Sequence, residues 1–184
     1  MKEYKSDRIK NVGIVAHGGA GKSSLAEAML FNAGAVTRLG RVDDGTATTD
    51  FEPEEVKRKV SISAALAPCE WKDFKINVVD TPGYSDFVSE VKGALRAVDA
   101  ALVVLCAASG VEVETEKVWK YAADQKLPRI AFVNKMDREA RNPFDLLEEI
   151  ESVLGIETYP MNWPIGSGKE FKGVYDRKLE KILT

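Results

Sequence analysis

The sequence predicts an α/β fold, a doubly wound and mostly parallel sheet with helices on both faces. Three observations carry this. Short apolar runs bounded by turn residues alternate with longer stretches at helical spacing. A glycine-rich turn, Ala16-His17-Gly18-Gly19-Ala20-Gly21-Lys22-Ser23-Ser24, joins the first apolar run to the first helical stretch. Two further turns, Asp80-Thr81-Pro82-Gly83 and Asn134-Lys135-Met136-Asp137, close apolar runs, at the sheet edge where open α/β folds receive ligands.

The elements follow in order. Ile9, Val12, Ile14 and Val15 read as a buried strand over 9–16, and Leu25, Ala28, Met29 and Phe31 mark a helix over 22–34. A polar segment, 37–59, separates these from two strands, 60–71 and 74–80, around a turn at Lys72-Asp73. Then come a helix at 86–96, a strand at 100–107, a helix at 113–125, a strand at 129–134, a helix at 143–154 and a short strand near 158–162. Such alternation builds right-handed crossovers and therefore parallel strands.

Composition sets limits on function. A length of 184 residues is one domain's worth, and 45% hydrophobic content suffices for a core. A net charge of −3 and a pI near 5.4 argue against autonomous nucleic-acid binding, which needs a basic face. Met1 to Lys10 is charged and lacks the apolar centre of a signal peptide, and the longest apolar run, Ala100 to Ala108, is too short to span a membrane. The expectation is a cytoplasmic monomer without membrane contact. Cys69 and Cys106 lie in strand-like text and read as reduced packing residues. Trp71, Trp119 and Trp163 read as packing anchors, since nothing groups them.

The glycine-rich turn is a relaxed P-loop, with Ala16 where the strict pattern has glycine, and makes the fold that of a P-loop NTPase. Gly21 lets backbone N–H groups face inward, Lys22 reaches the β and γ phosphates, and the Ser23 hydroxyl is placed to ligate Mg²⁺. His17, Gly18, Gly19, Ala20 and Ser24 complete the cradle, and the helix adds its positive end. Asp80 would hold Mg²⁺ through water, and the Gly83 N–H would sense a γ phosphate. A DxxG alone is weak, its bland alternative being a strand-to-helix turn. Asn134, Lys135 and Asp137 suit guanine. The Asp137 carboxylate accepts from N1–H and the 2-amino group, Asn134 bonds base and loop, and Lys135 lies along the ring. Adenine would set an acceptor against that carboxylate, a mismatch that discriminates strongly. GTP and GDP are therefore the expected ligands.

The order AHGGAGKSS, DTPGYSDF, FVNKMDRE resembles the GTPase domain of translational GTPases. The linking text, GRVDDGTATTDFEPEE and SEVKGALRAVDAALVVLCAASGVEVETEKVW, is similar to elongation factor G and its paralogues, and the likeness runs from about Arg8 to the C-terminus. The resemblance implies Mg²⁺-dependent GTP hydrolysis that drives a switch linked to ribosomal translocation, with the ribosome engaged through the full-length protein. It makes 37–59 the first switch and puts the family's Mg²⁺-ligating threonine on Ser61, which keeps the hydroxyl but loses the stiffening methyl. It makes His17 the family's histidine beside the phosphates, in a structural or gating role rather than a proton-transfer one.

Two departures stand out. Tyr84 occupies the place of the family's water-positioning histidine, and a phenol offers no imidazolium at neutral pH, although its hydroxyl can still hold a water. Lys22 and Gly83 remain as the other catalytic candidates. Gly19 replaces a phosphate-loop aspartate. At the C-terminus, Ser167-Gly168-Lys169 imitates the family's Ser-Ala loop, but Trp163-Pro164-Ile165-Gly166 and Phe171-Lys172-Gly173-Val174-Tyr175-Asp176 resemble the start of an insertion that precedes it. The expected organisation is a GTP-binding domain over 1–162, without its last motif and helix, and the start of an insertion subdomain over 163–184. Four classes stay open: a GTP-hydrolysing factor domain, a GTP-binding switch with little or no turnover, a P-loop kinase or ATPase, and a purely structural fragment.

Overall fold

The computed structural model describes residues 2–184. Its main sheet has five strands: β1 (Ile9–Val15), β2 (Ala65–Trp71), β3 (Phe74–Asp80), β4 (Ala100–Cys106) and β5 (Arg129–Asn134), in the spatial order β2-β3-β1-β4-β5. All neighbours are parallel except β2, which pairs antiparallel with β3 across the Lys72-Asp73 turn. Both turn residues have positive φ, 45° and 65°, as a tight two-residue hairpin requires. Pro68 sits on β2, an outermost strand, where a missing N–H is tolerated.

Helices cover both faces. On one, α1 (Lys22–Asn32) buries Ala26 and Leu30 against Ile14, Ala67, Val78 and Val104. On the other, α3 (Val88–Arg96), α4 (Val113–Asp124) and α5 (Pro143–Leu154) close over Val15, Val103 and Leu105 with Leu95, Trp119 and Ile150. Asn142 caps α5, its side chain accepting from the Phe144 N–H at 2.9 Å, with Pro143 at the first helical position and Gly155 closing the C-terminus at φ 65°.

Four details differ from the sequence expectations. The buried stripe of α1 is Ala26, Glu27 and Leu30; Leu25 and Met29 pack at its margin and Phe31 is exposed, because the helix is rotated to bring Lys22 and Ser23 inward. The strand expected from 60 begins at Ala65, since residues 61–63 hydrogen-bond to side chains rather than to β3. Inside the polar segment lies a short helix, α2 (Pro53–Arg58), with Pro53 at its first position and a reciprocal capping box between Glu52 and Glu55. The strand expected at 158–162 is β6 (Asn162–Ile165), joined by β7 (Gly173–Asp176) and β8 (Lys181–Leu183) in a separate antiparallel sheet. Of the tryptophans, Trp119 is buried, Trp163 packs on Phe144 at 4.8 Å, and Trp71 is half exposed. Cys69 and Cys106 are buried free thiols. Among the described residues no helix is long and apolar enough to cross a membrane.

Candidate functional site

The three sequence motifs meet at the C-terminal edge of β1, β3 and β5. The turn after β1 enters α1 through Gly21, whose φ of 97° belongs to the left-handed region; a Cβ there would strike the Asn134 side-chain nitrogen. Lys22 lies buried, its Nζ donating to the His17 carbonyl at 3.0 Å. Burial brings its pKa down to about 8, against the pull of Asp80 and Asp50. Gly83 leaves space beside this ammonium: a Cβ on it would crowd Nζ and come within 2.7 Å of the His17 oxygen. Ser24, by contrast, points to the exposed side of α1.

Ser23 and Asp80 face a group of oxygens in which the expected Ser61 is joined by Thr49 and Asp50, two residues that the sequence did not single out. Thr49 Oγ1 donates to Asp80 Oδ2 at 2.8 Å, Ser61 Oγ donates to Asp50 Oδ1 at 2.6 Å, and the Ser23 and Ser61 hydroxyls lie 3.2 Å apart. Asp80 Oδ1 and Asp50 Oδ2 are buried without any hydrogen-bond partner. Burial pushes both carboxyls above the usual carboxylate range, opposed by the Ser23 and Thr49 hydroxyls at Asp80 and by Ser61 at Asp50. Two orphaned carboxylate oxygens beside two hydroxyls form an all-oxygen donor set that fits a hard divalent cation of the Mg²⁺ kind. No three His, Cys, Asp or Glu converge among the described residues, so a cation here needs ligands from a bound phosphate as well. Thr49 and Asp50 were legible only as members of a polar run; no periodicity marked them.

The third motif is tied to the first. Asn134 Nδ2 donates to the Ala20 carbonyl at 2.9 Å, its Oδ1 accepts from the Lys135 N–H at 2.9 Å, and Lys135 Nζ reaches the Gly19 carbonyl at 2.5 Å. Lys135 holds a φ of 66°. Asp137 is exposed beyond it, free to meet a ligand edge. Next to it opens a cavity of about 430 Å³, lined by Asp137, Arg138, Ala140, Ser167, Gly168 and Lys169. The Gly168 N–H donates to the Met136 carbonyl at 2.8 Å, which brings the Ser167-Gly168-Lys169 turn against the Asn134–Asp137 loop.

His17 is buried and bridges elements: Nδ1 lies 3.0 Å from Thr115 Oγ1 and Nε2 lies 3.2 Å from Glu112 Oε1, both at the start of α4. Burial lowers its pKa, with Glu112 opposing. Tyr84 follows Gly83 in extended backbone, half exposed. Its ring lies against Gly18, where a Cβ would come 2.9 Å from the phenol carbon. Thr81 fixes the segment before it by donating to the Ile14 carbonyl at 2.7 Å.

Comparison with known proteins agrees with this geometry. The family model described as elongation factor Tu GTP binding domain matches residues 7–183. Elongation factor G 1 of Treponema denticola is 44% identical over 170 residues, covering 92% of this chain and 25% of that protein. Elongation factor G of Salinibacter ruber is 42% identical over 95% of the chain and 25% of its own length, and peptide chain release factor 3 of Microcystis aeruginosa is 42% identical over 96% of the chain and 33% of its own. A crystal structure of a Thermus thermophilus protein superposes with a TM-score of 0.87 at 40% identity, covering 92% of this chain and 25% of that one. The chain thus spans about a quarter to a third of these relatives. With a phosphate loop, a guanine-type loop and a family match over nearly its whole length, the chain belongs to the translational GTPases, as a GTP-binding domain of the elongation factor G type.

Proposed function

We propose that this chain binds Mg²⁺-GTP and Mg²⁺-GDP and hydrolyses GTP slowly, as the switch of a larger factor that acts on the ribosome. The observation that carries the reading is the buried Lys22 ammonium beside Gly83, under the pull of Asp80 and Asp50, each of which holds one orphaned oxygen. A buried ammonium together with two unpartnered acidic oxygens suits a ligand bringing both phosphate and cation. In this reading Gly18, Gly19, Ala20 and Gly21 wrap the phosphates, and Asn134, Lys135 and Asp137 hold the guanine. Ser23, Ser61 and Asp80 hold Mg²⁺, which would supply charge neutralisation on the phosphate oxygens.

Tyr84 favours a second reading, a GTP-binding switch with little or no turnover. Its ring packs on the phosphate loop at Gly18, and its hydroxyl is what the chain offers in the water-positioning place. Both readings predict nucleotide binding. Calorimetric titration of the chain with GDP and a non-hydrolysable GTP analogue tests it, and absence of binding by either would refute both. Single-turnover hydrolysis then separates them. A rate at or below about 10⁻⁴ to 10⁻³ s⁻¹, the unassisted range of small GTPases, is expected of the first; no measurable turnover, alone or with ribosomes and the longer protein, favours the second.

A further inference from the structure

Helix α1 carries a carboxylate where an apolar residue would be expected. Glu27 is 1% exposed, on the buried stripe with Ala26 and Leu30, one turn past Ser23. A buried carboxyl needs partners, and these are two backbone N–H groups outside the helix. Gly40 donates to Oε2 at 2.9 Å, and Thr48 donates to Oε1. Between them the chain folds on itself: Thr46 N–H meets the Arg41 carbonyl at 3.0 Å, Gly45 N–H meets the Val42 carbonyl at 3.0 Å, and Thr46 Oγ1 accepts from Arg41 N–H at 3.0 Å. One side chain thus closes both ends of a turn. The seat is tight, since a Cβ on Gly40 would press on the Thr46 carbonyl and on Glu27 Oε2. Directly after the second clasped amide come Thr49 and Asp50, the residues that reach Asp80 and Ser61.

We propose that Glu27 is a positioning residue for the nucleotide switch: it fastens residues 40–48 to α1, so that Thr49 and Asp50 are delivered to the cation side of the phosphate loop. The proposal rests on the Mg²⁺-nucleotide reading above. Because α1 begins at the phosphate loop, movement at its N-terminus is passed by Glu27 to the first switch within one helical turn. Glu55 performs a comparable service further on. Its Oε1 accepts from Ile62 and Ser63 at 2.8 and 3.0 Å and its Oε2 from Glu52 at 3.1 Å, which holds the segment around Ser61.

Two variants test the idea. In Glu27→Gln the shape is kept, but the amide nitrogen faces a backbone donor and one clasp is lost; Gly40→Ala disturbs the same clasp with Glu27 intact. The readouts are affinity for the GTP analogue relative to GDP, and trypsin cleavage after Arg38 and Arg41 in the nucleotide-free chain, with cleavage after Arg177 as internal reference. Losing a hydrogen bond to a charged group is expected to lower analogue affinity about tenfold more than GDP affinity, and to speed cleavage after Arg38 and Arg41 about tenfold with Arg177 unchanged. Equal loss for both nucleotides, or uniform acceleration at all three arginines, would show a merely structural carboxylate and overturn the proposal. Should the unsubstituted chain bind neither nucleotide, the functional reading fails, and the digest alone still decides whether Glu27 holds the turn.

Discussion

At Asp137 the side chain stands exposed on a loop whose neighbours are committed elsewhere, Asn134 to Ala20 and Lys135 to Gly19. On the proposed reading, base choice falls to this carboxylate. Asp137→Asn is expected to shift preference from guanine toward xanthine nucleotides, whose 2-oxo group accepts where the amine donated, measured as the ratio of GDP to XDP affinity. An unchanged ratio would remove Asp137 from the base site. His17 gives a different kind of test. Its pKa is lowered by burial, so the unfolded chain takes up its proton at higher pH than the folded one. Stability from the neutral ring is complete above its unfolded pKa, about 6.5, and is lost as pH falls below it. Glu112 and Thr115 face the ring, and Lys22, Lys135 and Glu114 act on it from α1, the Asn134–Asp137 loop and α4. His17→Gln is expected to flatten the fall in Tm as pH drops below about 6.5. A fall as steep as in the unsubstituted chain would assign it to other groups.

Among the elements, the first switch is the least legible from sequence and the most informative in structure. It read as a polar run, whereas three backbone amides within it and two just after it end on two buried carboxylates, those of Gly40 and Thr48 on Glu27 and those of Glu52, Ile62 and Ser63 on Glu55. Pairings of that sort join residues far apart in the chain and leave no periodic trace. Strands were legible because apolar runs of β length are bounded by turns, and the phosphate and base loops because glycines and charges recur at fixed spacing. Ser61 was reached by resemblance, and the structure sets its hydroxyl between Ser23 and Asp50. On the proposed reading, in which the triphosphate favours the docked segment, Ser61→Ala is expected to weaken the GTP-analogue complex more than the GDP complex. Equal losses in titration would take Ser61 out of the switch.

For the molecule as a whole, coverage by helices is uneven. Val104 pairs with Phe132 and Leu102 with Ile130, so these β5 side chains share the α1 face, yet Ile130 is 64% and Phe132 38% exposed. The chain spans about a quarter of the length of its elongation factor G relatives, and we propose the division expected from sequence, a GTP-binding domain over 1–162 and the start of an insertion over 163–184; the three-stranded sheet of β6, β7 and β8 begins at Asn162, at that boundary. A chain longer by about 100 residues, a domain's worth, is expected to gain GDP affinity and Tm together. If it gains neither, the Ser167-Gly168-Lys169 turn beside Asp137 becomes the better candidate for the family's Ser-Ala loop.

That bare flank has a colloidal consequence. The two outermost strands of the main sheet are not equivalent: β2 carries Pro68, which interrupts its hydrogen-bonding edge, while β5 offers unbroken amides next to Ile130 and Phe132. Past Arg129 at its start, β5 has neither a charged residue nor a proline over Ile130–Asn134, so its edge is open to pairing with a second β5. Light scattering of the 184-residue chain is expected to show growth with concentration, slowed by Ile130→Lys, which sets a charge on that edge. Solubility at high concentration would then depend on whatever covers β5, a demand that the nucleotide chemistry at the C-terminal end of the strand does not impose.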